Sequence, residues 1–292
     1  MQPCFSHDII AVIGASGRSG TALCRALLAQ NCKIIAVVRT PHKLPPDIAH
    51  HCYAVRTATL TDHPTLTQAL HGATLVVNTA HARYCAPLLA ATTAPIVALG
   101  STRKFTRWPD AHGQGVLAGE AALKQDGRAS LILHPTMIYG AQGENNVQRL
   151  AALLRKLPLI PLPQGGRFLV QPIDQRDVTH SLVAALRLIS MGHVTTPKSI
   201  VIAGLEAVSY RYFIALILRY SGFKKRPFIT IPSRILIMAA YILRHIPGFP
   251  RIDSAEIRRL PENKNFYIIP MNNELGITPY SLTKGLADLL QK

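Results

Sequence analysis

Residues Ile9 to Gly20 read Ile-Ile-Ala-Val-Ile-Gly-Ala-Ser-Gly-Arg-Ser-Gly, a β-branched apolar run that breaks into small residues around Gly14, Gly17 and Gly20. The run predicts a buried strand feeding a tight turn. Apolar residues at helical spacing follow from Thr21 to Ala29, so the turn opens a helix. The first amides of a helix have no acceptor within it and carry the positive end of its dipole, and a turn holding Ser16, Arg18 and Ser19 presents them to an anion. Glycine is needed there because a Cβ would hold a diphosphate off the backbone or keep the helix from its strand. A tight strand-to-helix turn with no ligand is the plainer alternative.

Lys33 to Arg39 forms a second buried-strand pattern, ending about twenty residues past the last glycine, where a carboxylate ordinarily holds the ribose hydroxyls of NAD. Here the residue is Arg39. Its planar fork suits a 2′-phosphate, and Arg18 in the turn reaches toward the same group, so NADP is expected in preference to NAD. The alternative is a solvated charge stacking on the adenine.

Strand and helix patterns then alternate. Strands are expected at Cys52 to Arg56, Thr74 to Ala80, Pro95 to Ser101 and Ala129 to Pro135, with helices at Pro64 to Leu70, Tyr84 to Ala91 and about Gly115 to Lys124. Continuous apolar strands separated by helices predict an α/β, doubly wound parallel sheet. Ligands bind beyond the carboxyl ends of such strands, so Gly14, Arg39, Asn78, Ser101 and Pro135 are expected around one crevice. Pro158 to Gly166 reads as a rigid connector, followed by a short strand from Phe168 to Ile173 and a helix from Asp177 to Ile189. Further helices are expected at Tyr210 to Tyr220, Pro232 to Ile246 and Thr283 to Leu290. The expected division is residues 1–157 as a Rossmann domain and 158–292 as a smaller, mostly helical substrate lobe, with the strand and helix at 168–190 returning to the Rossmann core.

The five cysteines, Cys4, Cys24, Cys32, Cys52 and Cys85, are odd in number and form no Cys-x-x-Cys pair, which reads as reduced thiols in a cytoplasmic protein. The 12 histidines form no metal-ligand array, and no metal is expected. The formal charge of +17 comes as much from a shortage of acids, 15, as from 32 Lys and Arg, and it favours anionic ligands and surfaces. Nucleic acid is not expected, since the basic groups lack aromatic interleaving. The stretch Ile229 to Ile246, interrupted by Pro232 and Arg234, is shorter than the roughly twenty apolar residues of a membrane span. It reads as a buried helix capped by Ser233, with a helix peripheral to a membrane as the alternative.

The glycines are spaced Gly-x-x-Gly-x-x-Gly. Together with Asn78-Thr79-Ala80, Leu99-Gly100-Ser101-Thr102, the segment His134-Pro135-Thr136-Met137-Ile138-Tyr139-Gly140 and the stretch Gln171 to Val178, they resemble the atypical, extended short-chain dehydrogenases of the epimerase/dehydratase type. Glu256 to Leu260 and Leu275 to Pro279 are similar to segments of relatives of the NADPH-binding accessory subunit of respiratory complex I. The resemblance implies coenzyme contacts from the glycine turn, from Asn78, Thr79 and Ala80, and from Pro135, Thr136 and Met137. It also implies a carbonyl-orienting hydroxyl at Ser101 or Thr102.

The family's Tyr-x-x-x-Lys dyad is missing. Counting back from Glu120, the tyrosine falls on His112 and the lysine on Val116, while Tyr220 with Lys224 and Tyr280 with Lys284 repeat the spacing far along the chain. His112 is the candidate acid/base in place of the tyrosine, the alternative being an exposed histidine in a loop rich in glycine and charge. Arg103, Lys104 and Arg107 read either as a basic lip for an anionic substrate or as a solvated loop. Two functions follow: an NADP-dependent oxidoreductase or epimerase-like enzyme on a nucleotide-sugar-like carbonyl or hydroxyl compound, or a silent NADPH-binding protein docked on a larger assembly or a membrane face. Oligomeric state is not legible in the sequence.

Overall fold

A computed structural model describes residues 5, 7–140, 147–243 and 254–291. The first six strands are β1 (Ile9–Ile13), β2 (Lys33–Val38), β3 (Ala54–Thr57), β4 (Leu75–Asn78), β5 (Ile96–Leu99) and β6 (Ser130–Pro135). Between them run α1 (Arg18–Leu28), α2 (Pro46–Ala49), α3 (His63–Leu70), α4 (Cys85–Ala91) and α5 (Ala111–Asp126). After them come β7 (Ile138–Tyr139), α6 (Val147–Lys156), β8 (Ile160–Leu162), β9 (Leu169–Val170), β10 (Ile173–Asp174), α7 (Gln175–Ser190) and β11 (Lys198–Ile202). The chain closes with β12 (Val208–Ser209), α8 (Tyr210–Tyr220), β13 (Phe228–Thr230), α9 (Ser233–Leu243), α10 (Ser254–Arg259), α11 (Ile269–Leu275) and α12 (Leu282–Leu290).

Seven strands form one sheet in the order β11-β6-β5-β4-β1-β2-β3, every neighbouring pair parallel. The expected doubly wound sheet is thus what the chain builds. Side chains alternate across it, so Ile10 and Val12 pack with Leu23 and Leu27 of α1 and Leu182 of α7, while Ala11 and Ile13 pack with Leu66 of α3 and Leu88 of α4. With both faces covered, the strands read as unbroken apolar runs. Truncating a fully buried residue such as Leu27 to alanine is expected to cost about 2–5 kcal/mol.

The remaining strands form three two-stranded pairs, β7 with β10, β9 with β12 and β8 with β13. A third cluster, including Leu154, Ile160, Phe213, Ile217 and Leu286, sits among α6, α8 and α12. The strand expected from Phe168 to Ile173 is therefore two strands in different pairs, parted at Pro172, whose ring has no N–H for a ladder. The expected connector holds β8, whose Ile160 amide is bonded to the Pro227 carbonyl at 2.9 Å.

Two further expectations are corrected. Helix α5 starts at Ala111, not near Gly115, because the Asp110 carboxylate accepts the Gly113 amide at 2.8 Å and caps it. His112 consequently stands in a helical turn and not in a loop. Helix α9 is not a buried helix, for only Ala240 among its described side chains is buried, while Ile235, Met238, Tyr241 and Ile242 are exposed. It is apolar around most of its girth, so the pattern could not say which side faces solvent. The last residues of that expected helix, 244–246, and Cys4 lie outside the described residues. Cys24, Cys32 and Cys85 are buried free thiols and Cys52 is half-buried. No helix among the described residues is long and apolar enough to cross a membrane.

Candidate functional site

Gly14, with φ +76°, turns the chain out of β1. Its amide and that of Ala15 bond to Val37 at 3.1 and 3.4 Å, which seats the turn on β2. A Cβ at Gly20 would lie 2.1 Å from the Gly14 carbonyl oxygen, and one at Gly17 would lie 3.1 Å from the same atom. These contacts leave a cradle of bare backbone. The Gly17 carbonyl takes the Thr21 amide at 2.7 Å as the first helical bond, so the amides of Arg18, Ser19 and Gly20 have no helical acceptor. No acidic residue occupies the first turn of α1. The arrangement fits a dinucleotide diphosphate, which fills what a Cβ would block and meets the dipole's positive end. Arg39 is exposed and directly follows β2 on the same edge of the sheet.

A cleft of about 1690 Å³ opens beyond the carboxyl ends of the strands. Arg18, Ser19, Thr79, Ser101, Thr102, His112, Thr136 and Met137 all line it. The sequence expectation brings these eight together. Asn78 and Pro135 are drawn elsewhere. Asn78 is fully buried, giving its Nδ2 to the His81 carbonyl at 3.2 Å and accepting the Ala80 amide at 3.1 Å, so it braces the strand end instead of facing the cleft. Pro135 is buried and contributes its carbonyl, which accepts the Thr102 hydroxyl at 3.1 Å.

That bond separates the two candidate hydroxyls. Thr102 has given its proton to Pro135, whereas Ser101 Oγ accepts the Arg103 amide at 3.1 Å and keeps its own proton to donate. Ser101 is the hydroxyl equipped to hold a carbonyl oxygen.

His112 has a partner that sequence reasoning missed. His81 Nε2 lies 3.1 Å from His112 Nδ1. Because His81 Nδ1 accepts the Arg83 amide at 3.0 Å, its proton must sit on Nε2 and be donated to His112 Nδ1. His112 then carries its own proton on Nε2, the nitrogen left for a ligand. Burial, followed by the neighbouring His112, pushes His81 down to about 4, and burial with Arg103 also lowers His112. Both rings are neutral near pH 7. The pair exists because α5 is smooth where it meets them: a Cβ at Gly115 would lie 2.8 Å from His81 Cε1, and one at Gly119 would lie 2.1 Å from the Ala82 carbonyl oxygen.

The basic lip is also redrawn. Arg103 and Arg107 line the cleft, but Lys104 turns inward, its ammonium paired with Glu120 and 3.1 Å from His134 Nε2. Glu120, although its burial acts upward, is brought down to about 2 by the Lys104 hydrogen bond. His134, fully buried, is lowered to about 4 by burial and then by Lys104, and its Nδ1 accepts the Ser101 amide at 3.2 Å. The triad therefore fixes the backbone that carries Ser101. Asp110 gathers Arg103 at 2.5 Å and Arg259 at 2.8 Å, and Glu262 accepts the Arg107 amide at 2.7 Å, so the C-terminal segment is tied to the cleft's rim. Neither Tyr220 nor Tyr280 is among the described residues lining the cleft.

Sheet order, glycine cradle and cleft define a Rossmann-type α/β fold. Residues 14–138 match the model of an NAD(P)H-binding family. No curated protein matches the chain in sequence. Among solved structures it is similar to an NADPH-dependent quinone oxidoreductase from Escherichia coli, solved with NADPH (18% identity, 96% of this chain and 99% of that one, TM-score 0.71). It is also similar to a nucleoside-diphosphate-sugar epimerase from Staphylococcus aureus (16%, 98% and 100%, 0.72). The UDP-glucose 4-epimerase of Thermotoga maritima, solved with UDP-glucose, shares the fold as well (13%, 97% and 97%, 0.70).

Proposed function

We propose that this protein is an NADP(H)-dependent oxidoreductase acting on the carbonyl or hydroxyl of a small molecule. The observation that carries the reading is the convergence of Ser101, with a free hydroxyl proton, and His112, with its tautomer set by His81, on the cleft that begins at the glycine cradle. Gly14, Gly17, Gly20, Ser19 and Thr79 would hold the coenzyme's diphosphate end, and Arg18 and Arg39 would select the 2′-phosphate of NADP over NAD. The coenzyme, when bound, supplies or takes up a hydride. Ser101 Oγ donates to the substrate oxygen and orients it. His112 Nε2–H donates to the same oxygen as charge develops there, and water at the cleft mouth restores the proton. His81 holds the ring so that this nitrogen, and not Nδ1, faces the substrate. Arg103 and Arg107 favour an anionic substrate. The missing Tyr-x-x-x-Lys dyad is thereby replaced by a histidine pair with the same division of labour: one group moves the proton and the other orients it.

Stopped-flow absorbance of bound NADPH against nucleotide sugars, quinones and aldehydes tests this. Oxidation by at least one class is expected. Silence across the panel, with a large NADPH-dependent rise in melting temperature, would replace the enzyme with a binding protein.

A further inference from the structure

The cleft is larger than the coenzyme's reactive end and a small head group require, since small-molecule pockets run to about 300–1,000 Å³ and this one reaches about 1690 Å³. Its far limb changes character. Leu150, Leu153 and Leu157, one stripe along α6 and the residue after it, line the same cavity as Leu236 and Ile237 of α9 and Ile214 of α8. The five leucine and isoleucine side chains of the α6 stripe and α9 are half-buried and line the cleft, Leu150 also packing against the third cluster. Ser101, Thr102 and His112 belong to the coenzyme end, while Arg149 of α6, Arg234 of α9 and Glu256 and Arg258 of α10 put charged groups elsewhere along the lining.

We infer that this limb takes the aliphatic tail of an amphiphilic substrate whose carbonyl end reaches Ser101 and His112. The inference rests on the oxidoreductase reading and narrows its substrate class. A sugar or a nucleobase lying against these side chains would leave hydroxyl and amine donors unpartnered, at about 1–3 kcal/mol each, whereas methylenes lose nothing there.

Two measurements on the full chain test it. The first is displacement of a dansyl-labelled undecanoic acid by straight-chain carboxylic acids of increasing length. The second is NADPH oxidation with straight-chain aldehydes of the same lengths, and with UDP-glucose. Binding is expected to tighten about fourfold per methylene until the limb is full, following the transfer free energy of a buried CH₂. KM for the aldehydes should fall in parallel. Leu153→Asn and Ile237→Asn should each flatten the length dependence while leaving NADPH affinity and melting temperature near those of the parent. Met238→Asn, on the outer face of α9, should change nothing. Length-independent binding, or saturation by UDP-glucose with indifference to the aldehydes, would overturn the inference. So would loss of the length dependence in Met238→Asn alone, which would place the tail on the outer face. Length-dependent binding with no oxidation of NADPH would keep the tail site and overturn the oxidoreductase reading instead.

Discussion

His81 Nε2 stands 3.1 Å from His112 Nδ1, and the Arg83 amide on the far side of His81 decides which ring donates. His112→Ala should retain NADPH affinity and lose about a hundredfold to ten-thousandfold in turnover, the usual weight of a positioned acid or base. Gly115→Ala, whose Cβ would sit 2.8 Å from His81, should reproduce part of that loss without touching the cleft. Calorimetry of NADPH binding beside single-turnover rates checks both, and full turnover in His112→Ala would remove the acid/base role.

Gly20 is the position in the cradle with no room. A Cβ 2.1 Å from the Gly14 carbonyl oxygen forces the turn apart, so Gly20→Ala should abolish coenzyme binding and lower stability. Titration calorimetry and thermal melting with and without NADPH read the two effects separately.

Arg39 is exposed at the end of β2, with its guanidinium available to a 2′-phosphate. A charge-assisted contact of about 1.5–3 kcal/mol predicts that Arg39→Ala weakens NADPH about tenfold to a hundredfold. NADH affinity should stay as it is. Equal loss for both nucleotides would contradict the assignment.

Lys104 and Glu120 have side chains only 9% and 10% exposed, so neither charge has water to fall back on. Glu120→Gln should destabilise the fold by about 3–5 kcal/mol, whereas a Lys104→Met and Glu120→Leu double variant should recover most of that loss. Urea denaturation of the three proteins distinguishes a paired from an orphaned charge. Turnover should fall in both variants, since Ser101 rests on this triad through His134.

Asp177, 1% exposed, is raised to about 6 by burial, with the Tyr280 amide at 3.0 Å acting in the opposite sense. Between its ordinary value near 4 and about 6 the folded state binds more protons than the unfolded chain, so stability falls as pH rises through this window. Asp177→Asn should therefore be more stable than the parent at pH 8, by up to about 3 kcal/mol, and equal to it near pH 4. Denaturant midpoints at the two pH values check the sign.

The sheet and the cradle were legible because both are local. An apolar run followed by three spaced glycines specifies strand, turn and helix without reference to the rest of the chain. What escaped is tertiary. His81 and His112 are thirty-one positions apart, and Lys104, Glu120 and His134 meet only after three elements have packed. Gly113 reads as a loop residue, yet with Gly115 and Gly119 it lies on the smooth side of α5, and the Asp110 cap outweighs the poor helical propensity of glycine. The two-residue strands at Leu169 and Ile173 are too short for any periodicity to register.

One consequence comes from the shared direction of the seven strands. Chemistry gathers at the rim where they end, and the opposite rim carries plain turns at Gly72, Gly127 and Gly192, ahead of β4, β6 and β11, each with nothing within 4 Å of the space a side chain would enter. A fluorophore, an affinity handle or an inserted peptide grafted into those turns would hang on the blind side of the molecule, leaving its working edge undisturbed.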